Sequence, residues 1–209
     1  MTQTVTGLYD TYPEAEAAVR ELEAAGVPHH DISLIGNNGR SEHAGHQHGD
    51  HGHEADSRAE KAGEDAGKGA GLGAAVGGAG GLLAGLGLLA IPGLGPVVAA
   101  GWLASTAVGA VVGGAVGAAA GGLVGALTKE GVPERDAEVY AEGVRRGGVL
   151  VSAKVDDAHR HTAGIILGRA IDVRLRQDDY ERGGWKGFDP AAPVYTSDEI
   201  LAERQRYNR

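Results

Sequence analysis

From residue 69 to residue 128 the chain carries no charged side chain; Lys68 and Lys129 bracket a run of glycine, alanine and branched aliphatic residues. That run is about three times the ~20 residues that one membrane crossing needs. Its glycines are also spaced. Gly69, Gly73, Gly77, Gly81 and Gly85 fall four apart, and after "AIPGLGPVVAA" the spacing resumes at Gly101, passes through Ser105, and continues at Gly109, Gly113, Gly117, Gly121 and Gly125. On a helix, residues four apart drift by only about 40° per step, so each array forms a ridge without side chains. Such a ridge lets two helix backbones approach closely. The spacing predicts a Gly/Ala-rich helical hairpin with arms at 69–91 and about 97–128, turning at Pro92–Pro96.

Two other readings of the first array fail on chemistry. "GAGLGA" at 69–74 fits a dinucleotide-binding glycine pattern in form, but the polar "EKAGEDAGK" precedes it where a strand is required, and no Gly-Lys-Ser/Thr follows. A flexible linker would leave Leu72, Leu82, Leu83 and Leu86 in water, whereas linkers are built from Gly, Ser and charge. Glycine destabilises a helix in water by about 1 kcal/mol relative to alanine, while in lipid the unbonded backbone enforces helix. The hairpin is therefore expected in a membrane, with a soluble multimer core as the alternative.

The flanks read as α/β structure. Residues 1–36 hold a strand at Val5–Tyr9, a helix over "DTYPEAEAAVRELEAAGV" and a strand over "HDISLIGN". Thr11 suits the helix cap, Pro13 its first turn and Gly26 its end, and Ala15, Val19 and Leu22 give it one apolar face. Residues 129–177 hold a helix over "PERDAEVYAEGVRRGG", the strand "VLVSAKV", a helix with Ala163, Ile166, Leu167 and Ala170 inward, and the alternating "IDVRLRQ" as a last strand. Neither half completes a sheet alone. Together they predict one small α/β (α+β) sandwich domain, β-α-β followed by α-β-α-β, of about four strands. Any membrane crossing by the insertion must then be even in number, so that both halves meet on one side.

Net charge is −9, which excludes nucleic acid as a partner, because phosphate binding needs clustered Lys and Arg. The absence of cysteine removes disulfides and thiol chemistry. No basic segment followed by an apolar stretch opens the chain, so no signal peptide is expected. Residues 37–68 form a polar loop in which His43, His46, His48, His51 and His53 cluster with Asp50 and Glu54. Imidazole and carboxylate suit Zn or Ni, and this loop is the candidate metal site, otherwise a solvated loop; no other cofactor is expected. No catalytic constellation stands out. Asp156 and Asp157 read as a helix cap, Ser152 lies in a strand, and Arg145–Arg146 complement a helix end, with an anion site as the lesser alternative. The tail, 178–209, gathers Tyr180, Trp185, Phe188, Tyr195 and Tyr207, with a Thr196/Glu199 capping box before a charged helix. It is expected to fold back on the domain or to meet a protein partner.

"GLYDTYPEAEAAVRELEAAGVPHHDISLI", "AIPGLGPVVAAG" and "GVPERDAEVYAEGVRRGGVLVSAKV" together resemble bacterial heat-induced or general stress proteins of the YflT type, over most of residues 5–175. The resemblance implies a small α/β domain, a link to stress response, and no enzymatic activity or catalytic residues. It leaves the histidine loop and the tail uncovered, and does not settle the role of the insertion. The expectation is a non-enzymatic stress-response protein, homo-oligomeric through its glycine zipper. It would sit at the cytoplasmic face of the cell membrane, or in the cytoplasm if the helices pack in water.

Overall fold

The computed structural model describes residues 2–37, 87–91, 94–104, 122–193 and 195–207. These form β1 (Gln3–Tyr9), α1 (Tyr12–Ala24), β2 (Ile32–Asn37), β3 (Gly87–Ile91), β4 (Gly95–Ala100), α2 (Gly122–Lys129), α3 (Glu134–Arg145), β5 (Val149–Val155), α4 (Arg160–Leu167), α5 (Val173–Arg182) and α6 (Ser197–Tyr207). The strands make one antiparallel sheet in the order β1-β5-β2-β4-β3. β5 lies between β1 and β2 and runs against both, so β1 and β2 are parallel and α1 joins them as a split β-α-β unit. The fold is a small α+β domain, as the flanking pattern predicts.

Alternation along the central strand builds two cores. Val149, Val151, Ala153 and Val155 join Ile32, Leu34 and Tyr9 beneath α1 and α4. Leu150 faces the other way, with Leu8, Ile35, Val97 and Ala99, beneath α2 and α3. α1 adds Ala15, Ala18, Val19 and Leu22, the i, i+3, i+4, i+7 stripe of a helix buried on one side. Its start is fixed by the Thr11 N–H, which donates to Glu14 Oε2 at 3.2 Å. Each fully buried Leu, Ile or Val contributes about 1.5–3 kcal/mol, so these paired cores hold the sheet between two helical layers.

Two expectations are corrected here. The segment around Pro92–Pro96 joins two strands, not two helices: β3 and β4 pair with register Gly87↔Ala99 to Ile91↔Gly95, and β4 pairs with β2 from Asn37↔Val97 to Leu34↔Ala100. β-branched Val97 and Val98 and the Pro-Gly pair at 92–93 favour a β-hairpin, in which Pro96 stands opposite Ala90 of β3, next to the last described β2–β4 pair, Asn37↔Val97. The helical arms 69–91 and 97–128 are therefore interrupted at 87–91 and 95–100; α2 is helix as expected, and residues 69–86 and 105–121 lie outside the described residues. The second correction is "IDVRLRQ", which opens α5 and is not a strand. Asp172 Oδ1 accepts the N–H groups of Arg174 at 2.9 Å and Leu175 at 3.2 Å, a helix cap. Leu175 consequently faces solvent at 65% exposure.

Gly101 shows why the chain turns where it does. It has φ +87°, and a Cβ there would lie 2.2 Å from the Ile32 carbonyl oxygen. The backbone thus passes directly over β2, which lets Leu103 N–H donate to Ser33 Oγ at 3.2 Å while that hydroxyl donates to Ala100 O at 2.8 Å. Its missing side chain serves a strand-to-turn contact, in place of the helix–helix packing that its spacing predicts.

Candidate functional site

A cleft with a volume of about 370 Å³ lies between α1 and the segment that runs from α4 to α5. Ala17, Ala18, Ile166 and Ala170 give it apolar walls, and Asp10, Glu14, Glu21 and Arg169 supply its charge. The two elements meet closely because Gly7 has no side chain: a Cβ there would stand 2.9 Å from Ala170 Cβ and 3.0 Å from Leu167 O. Ile171 N–H then donates to Leu8 O at 2.9 Å, tying the wall of the cleft to the edge of the sheet.

Tyr9, at the end of β1, lines this cleft and is only 7% exposed. Its hydroxyl is buried and has no hydrogen-bond partner among the described residues. Burial pushes its pKa up to about 12; Arg169 opposes that rise, while Glu21 and Glu14 add to it. The hydroxyl is therefore neutral at physiological pH and lies within the field of three charged cleft residues. Those charges are not equally matched. Asp10 accepts from Arg176 Nη2 through both oxygens at 3.1 Å. Glu21 is paired with Arg169 across the exposed mouth. Glu14 takes only the Thr11 N–H, and no cation is paired with it among the described residues.

On the opposite side of the sheet, α5 and α6 cover α3. Tyr180 and Trp185 bury against Val139, 5.9 Å apart and edge-on. Glu142, wholly buried, pairs with Arg145 Nη2 at 2.5 Å and Arg146 Nε at 2.6 Å, and Arg146 Nη1 reaches Glu203 of α6 at 2.9 Å. Arg146 also stacks 4.2 Å over the Tyr180 ring. Burial works against its charge, but the Glu142 and Glu203 carboxylates outweigh this and hold Arg146 protonated beyond the ordinary arginine range. Arg176 stacks 3.6 Å over Tyr207. The Arg145–Arg146 pair is thus occupied by the chain's own carboxylates, and the tail folds back on the domain. The Thr196/Glu199 capping box forms, with Thr196 N–H donating to Glu199 Oε2 at 2.7 Å.

The remaining sequence candidates are placed as follows. Gly69, Gly73, Gly77, Gly81, Gly85, Gly109, Gly113, Gly117 and Gly121 lie outside the described residues, as do His43, His46, His48, His51 and His53. Gly125 is on α2. Among the described residues no group of three or more His, Asp or Glu side chains is arranged to hold a metal, and no helix is long and apolar enough to cross a membrane. Asp156 caps a turn, accepting the His159 N–H at 2.9 Å. Sequence reasoning missed the cleft. Its signal is the spacing of Glu14, Ala17, Ala18 and Glu21 on one face of α1; its partner Arg169 is remote in sequence.

Fold and cleft define the protein as an α+β domain, with helices on both faces of an antiparallel sheet and a long Gly/Ala-rich segment between β2 and α3. No protein-family model matches the chain, and no curated protein or solved structure matches it.

Proposed function

We propose that the protein is a non-enzymatic bacterial stress-response protein whose α+β domain presents glycine-rich segments for self-association in the cytoplasm. The observation that carries this reading is the sheet membership of β3 and β4. The centre of the uncharged run belongs to the domain, so the fourfold arrays on either side of it are anchored to the same sheet. Leu103 and Leu123, which flank residues 105–121, enter the same core. Glycine-spaced segments joined to one sheet at both ends are suited to meeting the same segments on another copy. The resemblance to general stress proteins supplies the biological setting and the non-enzymatic reading.

Detergent-free sizing with light scattering on the full chain tests this. A defined multimer that dissociates when Gly113 and Gly117 are both replaced by Leu is the expected result. A monodisperse monomer would remove the self-association reading. Recovery of the protein in carbonate-washed membranes would replace it with membrane attachment at the cytoplasmic face.

A further inference from the structure

We infer that the cleft between α1 and α4 is a binding site for a small organic cation, a primary amine on a compact apolar body. The inference is independent of self-association and rests on the described domain alone. Four observations converge. The volume, about 370 Å³, lies at the lower end of small-molecule sites. The walls from Ala18, Ile166 and Ala170 are apolar and suit a hydrocarbon body. Glu14 contributes a carboxylate with no paired cation among the described residues. Tyr9 contributes a buried hydroxyl without a hydrogen-bond partner there.

An unsatisfied buried polar group is costly to the folded state, and a ligand that bonds to it recovers that cost. An ammonium group has three donors and no acceptor. It donates to a carboxylate and a hydroxyl oxygen together and brings the positive charge that the carboxylate lacks; an alcohol can pair with both groups but brings no charge, and a carboxylate ligand is repelled. The Arg169–Glu21 pair at the mouth is exposed, at 60% and 47% of the two side chains. Exposed pairs of this kind are held weakly, so the mouth opens at little cost, and opening it adds a second carboxylate to the site.

The test is calorimetric titration of the full chain with benzylamine, and with benzyl alcohol and benzoate as neutral and anionic probes of similar size. Benzylamine should bind at least about tenfold more tightly than either. Glu14→Gln should weaken benzylamine about tenfold while preserving the helix cap, since glutamine also accepts the Thr11 N–H. Tyr9→Phe should weaken it about fivefold without lowering the melting temperature, because it removes an unpartnered hydroxyl and keeps the ring. Glu134→Gln, an exposed substitution on α3, should leave binding unchanged and so separates the site from general attraction to an acidic protein. Saturable binding of benzoate or benzyl alcohol as tight as that of benzylamine overturns the inference. So does the absence of saturable benzylamine binding, or wild-type affinity in both Glu14→Gln and Tyr9→Phe.

Discussion

The two faces of the sheet are closed by different means. Under α1 and α4 the contact is aliphatic, and the helices stand directly against solvent, leaving a cleft and a Tyr9 hydroxyl without a partner among the described residues. Under α2 and α3 the aliphatic core is followed by another layer, because α5 and α6 lie over α3. A helix covered on both sides must satisfy its polar residues internally. Glu142 accordingly holds two arginines, and Glu203 reaches in from α6 to share one of them. α1 has a wet side, where Glu16, Glu21 and Glu23 pair with Arg20, Arg169 and His29, and Glu14 holds the helix cap. The covered face is locked by charge pairing; the open face is where a ligand can enter.

High pH should have the largest effect, and it acts on both faces. Tyr9 and Tyr12 belong to the open face and each has a pKa pushed up to about 12, in both cases chiefly by burial. Their folded-state values exceed the unfolded value of about 10, so the folded protein holds these protons longer than the unfolded chain. Their contribution is fully present below about pH 10 and is lost as pH rises toward 12, by up to about 3 kcal/mol per tyrosine. Tyr140 of the covered face is shifted to about 12 as well, again chiefly by burial. Urea midpoints measured from about pH 9 to 12 should fall steeply, and the Tyr9→Phe/Tyr12→Phe double variant should lose only part of that slope, because burial also raises the pKa values of Tyr140, Tyr180, Tyr195 and Tyr207. If the double variant keeps the full slope, the open-face phenols do not contribute to it.

Next in size is Glu142→Ala. Removing a wholly buried carboxylate leaves Arg145 and Arg146 with charge that burial penalises, and breaking such a pair costs about 3–5 kcal/mol. Glu203→Ala should cost less, because Arg146 keeps Glu142 and the Tyr180 face. Equal losses in the two variants would mean that the ion network is a single unit anchored by α6 as much as by α3.

Much of this contrast is legible in the amino-acid sequence. α1, α3, β5 and α4 follow from caps and apolar period, and the capping box at Thr196 marks the start of α6. Two local signals mislead. The alternation Ile171, Val173, Leu175 has strand period, but Asp172 caps a helix through the backbone two and three residues on, and a single capping side chain outweighs three alternating positions. The fourfold glycine spacing obscures the strand-forming Val97 and Val98 between the arrays, because glycine carries a helix-packing pattern without a helix-forming preference. The cleft is not legible because it depends on Gly7 drawing Ala170 against β1, a contact between residues far apart in the chain.

Gly101→Ala tests the join between the hairpin and the covered face. The substitution meets a positive φ and the Ile32 backbone together. The strained φ alone costs about 1–3 kcal/mol, and a backbone atom cannot rotate away as a side chain can. Thermal unfolding should show a loss of at least this size. Gly131→Ala, with φ +90° but nothing within 4 Å of the added carbon, is the control that carries the φ strain without the overlap. A loss no greater in Gly101→Ala than in Gly131→Ala would show that β4 does not pass as tightly over β2.

The smallest effect belongs to Arg169→Ala at the mouth of the cleft. Its partner Glu21 and its own guanidinium are both largely in solvent. The pair resembles in composition the Arg146–Glu142 contact on the other side of the sheet, yet screening and side-chain entropy should hold its worth to about 0–1 kcal/mol. The ratio between Glu142→Ala and Glu21→Ala therefore reports mainly burial, since each removes a carboxylate from arginine, though Glu142 holds two arginines and Glu21 one. Raising the salt concentration should erase what remains of the Arg169 effect and leave that of Glu142 nearly intact, because screening acts on exposed charges far more than on buried ones. A cost above about 2 kcal/mol for Arg169→Ala would place the pair among the structural contacts, and the mouth of the cleft would then be closed as firmly as the face beneath α6.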